Sequence, residues 1–142
     1  EFEHRLDVTG DEYIEMIRLK TSVLLAAALK IGAILGGAPE KDAQLLYDFG
    51  IKMGLAFQLQ DDYLDVYGDP AVFGKNIGGD ILCNKKTFML ITALSLAEGE
   101  DLESLLNWLR ATDFVAEEKI QSVTALYKKL GVPELSQARI DA

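Results

Sequence analysis

At 142 residues the chain is of single-domain size and long enough to bury roughly two-thirds of the surface its unfolded form would expose. The net charge of -9 argues against nucleic acid and anionic membranes as partners, because both attract clustered Lys and Arg that this sequence lacks. With 49% apolar residues and only three prolines, it reads as a set of helices buried on more than one side.

The first helix is expected from Asp11 to about Leu35, where Tyr13, Ile14, Ile17, Leu24, Leu25, Ala28 and Leu29 recur at helical spacing. Thr9 or Asp11 is placed to cap it, and Gly36-Gly37-Ala38-Pro39 ends it. Lys20 and Lys30 interrupt the apolar run, so no segment is left to span a bilayer and the chain is not expected to be an integral membrane protein. A second helix is predicted over 40–67, about 42 Å long at 1.5 Å per residue. Its buried side is expected to carry Leu45, Leu46, Phe49, Met53, Phe57, Tyr63 and Leu64, and Gly50 and Gly54 mark a place for close backbone approach.

From Gly68 to Asp80 the glycines 68, 74, 78 and 79 with Pro70 predict an ordered loop. Helical spacing then resumes over 85–97, 100–110 and 114–130, with Gly131 and Pro133 read as the stop. No strand-like alternation persists, so the fold class is all-α, an antiparallel helical bundle in one domain. The single cysteine, Cys83, cannot form an intrachain disulfide, and no leader-like segment opens the chain, which together predict the cytoplasm. A first residue Glu1 instead of Met reads as a piece cut from a longer protein.

The chemistry concentrates at FQLQDDYLD. On a helix Asp61 and Asp65 face one way, Asp62 lies within a turn of both, and Gln58 shares the face. Such a cluster repels itself unless a hard divalent cation relieves it, and oxygen-only ligands with room for water suit Mg²⁺. A solvated acidic helix end is the plain alternative, and the flanking Phe57, Leu59, Tyr63 and Leu64 weigh against it. Two rival motifs fail. GDPAVFGKN has one residue too many for a P-loop and Asn76 where Ser or Thr belongs, and an EF-hand from Asp65 would put Pro70 at its glycine position.

The stretch FQLQDDYLDVYGDPAVFGKNIGGDILCNKKT, Phe57 to Thr87, resembles the second aspartate-rich motif and glycine-rich loop of the trans-isoprenyl diphosphate synthase family without a gap. YIEMIRLKTSVLLAAALKIGAILGGA, Tyr13 to Ala38, resembles that family's Lys-Thr helix. The resemblance implies the isoprenoid synthase fold and condensation of an allylic diphosphate with isopentenyl diphosphate, assisted by Mg²⁺. It further implies Asp61, Asp62, Asp65 and Asp80 as the metal set, Lys20 and Lys75 on the diphosphate, and Thr21 and Gln58 along the allylic chain. Lys85 is implied as a further substrate-binding position, and a homodimer as the assembly. A class I terpene cyclase usually carries a mixed Asn/Ser/Glu motif where this chain has Asp61-Asp62-Tyr63-Leu64-Asp65, and a non-catalytic partner subunit would not need the full set of lysines and carboxylates. The chain contains one Asp-Asp pair, whereas the family has two facing motifs. The sequence is therefore expected to be a carboxyl-terminal half, inactive alone, and silent on product length.

Overall fold

The computed structural model describes residues 7–69, 71 and 77–142, and every described element is a helix. Helix α1 (Gly10–Ile17) starts at Thr9, whose Oγ1 accepts from the Glu12 amide at 3.1 Å, with Asp11 and Glu12 in the first turn where the helix dipole favours acid. A π-helical turn (Arg18–Ser22) joins it to α2 (Val23–Leu35). The expected first helix is therefore present but carries one wide turn. The buried residues step from Tyr13 and Ile17 to Ser22 and Ala26, so the predicted stripe through Leu24 is displaced and Leu24 is 76% exposed.

Gly37, at φ 83, turns the chain into α3 (Glu40–Tyr67), which has the predicted limits. Helices α2 and α3 form a hairpin tied at its mouth by Lys30, 3.3 Å from Glu40 and 3.0 Å from the Gln44 amide oxygen. Gly50 and Gly54 do admit a backbone, and that backbone is α2. A Cβ on Gly50 would lie 2.6 Å from the Ala26 Cα, and one on Gly54 would lie 2.8 Å from the Ser22 Cα. Of the apolar stripe predicted to be buried on α3, Tyr63 and Leu64 are partly covered, Tyr63 against the first core, but the rest faces outward. Leu45, Leu46, Phe49, Met53 and Phe57 are all exposed, while the buried positions are Ala43, Gly50, Gly54, Leu59, Asp62 and Asp65.

After the loop, the single turn α4 (Gly79–Leu82) follows Gly78, whose φ of 87 and contact with Ile120 leave no room for a side chain. Thr87 then caps α5 (Phe88–Leu96), its Oγ1 accepting from the Leu90 amide at 3.1 Å. This helix therefore starts three residues later than its apolar spacing suggests. Met89, Leu90, Ile91 and Ala93 bury it on more than one side. Helices α6 (Gly99–Arg110) and α7 (Ala116–Lys129) lie within two residues of their expected limits. An eighth helix, α8 (Val132–Asp141), is one the sequence reading missed. Gly131 at φ 73 ends α7, but Pro133 sits in the first turn of α8, where its missing N–H costs nothing. One core joins Ile81, Met89, Leu90, Leu105, Val123 and Tyr127, and a second joins Tyr13, Ile17, Leu59 and Ile91. Among the described residues no helix is long and apolar enough to cross a membrane.

Candidate active site

The two cores meet at the carboxyl end of α3, and there the helix buries charge. Asp62 is 1% exposed. Its carboxylate accepts from the Tyr13 hydroxyl of α1, from the Gln58 amide one turn back at 3.2 Å, and from the Lys85 ammonium at 3.2 Å. Asp65, also buried, accepts from the Asp80 backbone N–H at 2.9 Å, which moors the α4 turn to α3. Lys85 reaches a second carboxylate, Asp80, at 3.7 Å.

The electrostatics follow from this packing. Burial, then the adjacent Asp62 charge, pushes the Tyr13 hydroxyl far above the usual phenol range, so it stays a donor. For Lys85 burial acts downward, but the charges of Asp62 and Asp80 outweigh it and its pKa is raised. Asp62 thus sits among a phenol, an amide and an ammonium that all donate to it, which is how a buried carboxyl group becomes tolerable.

Asp61 differs from its neighbour. It is half-buried and makes no hydrogen bond to any described residue. Among the described residues no three acidic, histidine or cysteine side chains converge as a metal cage. The donor set is one open carboxylate with two occupied ones behind it. That suits Mg²⁺, which keeps several waters and binds through one or two carboxylates plus substrate phosphates, and does not suit a fully protein-caged ion.

The structure therefore brings together Gln58, Asp62, Asp65, Asp80 and Lys85 from the expected set. Lys20 and Thr21 lie on the π-helical turn. Lys20 is exposed, beside Met16 and Leu19 along a shallow groove, and shares no ion pair with the carboxylate group. Gln58 turns its amide toward Asp62. Lys75 lies outside the described residues. Tyr13 is the site residue that sequence reading missed, counted only as part of an apolar face. Its hydroxyl was the available signal, since a buried tyrosine needs a partner.

The sequence profile of the family described as polyprenyl synthetase matches residues 1–127. A short chain isoprenyl diphosphate synthase of Methanothermobacter thermautotrophicus is 43% identical over 137 residues, covering 96% of this chain and 41% of that protein. A geranylgeranyl diphosphate synthase of Sulfolobus acidocaldarius is 36% identical, covering 91% of this chain and 39% of that protein. Among solved structures, a geranylgeranyl pyrophosphate synthase superposes with a TM-score of 0.89 at 41% identity, covering 99% of this chain and 44% of its own. A polyprenyl synthetase from Streptomyces coelicolor A3(2) gives 0.88 at 36% identity, covering 99% and 43%. The chain spans about two fifths of the length of these relatives. The Asp61-Asp62-Tyr63-Leu64-Asp65 helix end, the α4 turn moored to it and these matches together establish that the chain belongs to the polyprenyl synthetase family.

Proposed function

We propose that the protein carrying this chain condenses an allylic diphosphate with isopentenyl diphosphate, and that the chain supplies one wall of the active site. The observation that carries the reading is the asymmetry of the aspartate pair: Asp62 is buried and fully partnered, which fixes the adjacent Asp61 as an open ligand. Asp61 would hold Mg²⁺ from this wall, with Asp62, Asp65 and Asp80 shaping and charging the surroundings. When bound, the metal supplies Lewis-acid stabilisation of the departing diphosphate.

The chain's own residues do the remaining work. As the allylic carbon to oxygen bond breaks, its electron pair leaves with the diphosphate, and Lys20 and Lys75 add positive charge where that negative charge grows. Lys85, held between Asp62 and Asp80, keeps its proton and fixes both carboxylates in place. Thr21, on the wide turn after α1, and Gln58, on α3, would line the allylic chain. The isopentenyl double bond gives its electron pair to the cation left behind, forming the new carbon–carbon bond, and the adjacent carbon then loses a proton to the released diphosphate, which restores a double bond. Phe57 and Tyr63 present aromatic faces that exclude water and tolerate the cation once the opposing wall is in place.

With only one carboxylate wall the isolated chain is expected not to turn over, because nothing opposes Asp61 to hold substrate in a reactive pose. Assembly as a cytoplasmic homodimer belongs to the same reading. The test is isopentenyl transfer by the full-length protein with Mg²⁺. Asp61→Ala should lower kcat about a hundredfold, the effect of losing one transition-state contact of about 3 kcal/mol, with substrate affinity affected less. A kcat within a few-fold of wild type would remove Asp61 from the metal.

A further inference from the structure

Lys119, in the first turn of α7, is 1% exposed and is the only fully buried cation among the described residues. No carboxylate of those residues pairs with it. Its ammonium instead donates to the Asn84 side-chain oxygen at 2.6 Å and the Leu82 carbonyl at 3.4 Å, and it lies 4.5 Å from the centre of the Phe114 ring. Burial holds its pKa below the usual lysine range.

A buried ammonium without a counter-ion is a poor device for stability, since an apolar side chain of similar length generally serves as well or better. What Lys119 grips is therefore informative. Leu82 closes the α4 turn, and its carbonyl has no helical partner further on. Asn84 is the one described non-glycine residue with positive φ, at 56, and its side-chain amide donates to the Leu109 carbonyl at 3.0 Å. Asn84 thus ties the end of α6 and the start of α7 to the segment that runs from Asp80 to Lys85. On the opposite side the same segment meets α3, through the Asp80 amide on Asp65 and the Lys85 ammonium on Asp62. Behind it lies a cavity of about 10 Å³, no larger than one water, bordered by Asp80, Asn84, Lys85 and Lys119.

We infer that Lys119 is a positioning residue: acting through Asn84 and the Leu82 carbonyl, it clamps the Asp80–Lys85 segment against the carboxylates of α3. The geometry stands by itself, while the consequence for turnover rests on the proposed function. The test is hydrogen exchange followed by mass spectrometry in the full-length protein, comparing wild type with Lys119→Met.

Peptides covering 78–87 should exchange at least tenfold faster in the variant, with those from α5 and α7 unchanged. The kcat for isopentenyl transfer should fall about tenfold with KM for both diphosphates within twofold, and Lys119→Arg should recover part of it. Asn84→Gly keeps the left-handed backbone and removes the side chain that Lys119 holds, so it should loosen 78–87 alike even if Lys119→Met does not fold. Faster exchange throughout the protein with a lowered Tm would overturn the inference in favour of a packing role. Unchanged protection of 78–87 in Asn84→Gly would overturn it as well. Local loosening in a protein whose wild type transfers no isopentenyl group would sink the functional reading and leave the clamp in place.

Discussion

Two stretches of one helix, α3, contradict each other in polarity. Near its carboxyl end Asp62 and Asp65 are buried, whereas in its middle Leu45, Phe49 and Met53 stand in the open. The contrast shows that burial along α3 follows the supply of partners more closely than residue type. Tyr13, Lys85, Gln58 and the Asp80 amide satisfy the buried carboxylates. Nothing among the described residues covers the apolar middle, and Leu24, Ile31 and Leu35 on α2 stand exposed as well. Patches of that kind mark interaction surfaces.

The sharpest way to break the contrast is to empty its polar side. Asp62→Ala should destabilise the chain by about 3 kcal/mol, chiefly by removing the carboxylate to which the buried Tyr13 hydroxyl donates and opening a cavity. Lys85 is 39% exposed and can rehydrate, so it adds little. Denaturant midpoints with unchanged slope would measure this, and a loss under 1 kcal/mol would show that the network is decorative. Next comes the seam between the two helices of the hairpin. Gly54→Ala drives a methyl group to within 2.8 Å of the Ser22 Cα and should cost about 2 kcal/mol. A neutral result would mean that α2 and α3 slide apart freely.

Alkaline titration probes the buried side without mutation. Burial raises the pKa of Tyr67 to about 12 and those of Tyr13 and Tyr127 above the usual range. Unfolded tyrosines lose their protons near pH 10, so the folded state binds more protons above that pH, and stability should fall as pH rises from about 10 through 12. Absorbance at about pH 11 should report fewer ionised phenols in the folded chain than in denaturant, where all five tyrosines titrate near pH 10. A full set appearing in the folded chain would contradict the burial. The smallest effect is expected on the apolar face, where Leu24→Gln and Phe49→Gln should each change stability by no more than about 0.5 kcal/mol. Their effect should appear in sedimentation instead. The chain is expected to self-associate at micromolar concentration and the double variant to do so less, while equal association would move the sticky surface elsewhere.

Much of this was legible in advance, for identifiable reasons. The limits of α3 follow from a proline before and a glycine after an unbroken helical stretch, and the carboxylate cluster follows from spacing alone. The close approach at Gly50 and Gly54 was legible too, but its partner was not, since spacing cannot say which helix arrives. The outward turn of Leu45, Phe49 and Phe57 was hidden because amphipathic reasoning assumes that apolar means inside. Tyr13 and Lys85 converge on Asp62 from 49 and 23 residues away, and no local pattern encodes such a meeting. Pro133 misled because proline both stops one helix and opens the next.

The wide turn at Arg18–Ser22 has a consequence for inheritance. An ordinary helix would continue a buried row by threes and fours, yet here the row steps five residues, from Ile17 to Ser22. Deleting one residue in that turn would restore regular hydrogen bonding and give a locally better helix. It would also turn the five-residue step into the usual four, so Ser22 and Ala26 would stay under Gly54 and Gly50. The wide turn thus absorbs one residue without disturbing the hairpin, and descendants of this gene can lose a residue there, whereas a loss between Ser22 and Ala26 would rotate Ala26 by about 100° out from under Gly50.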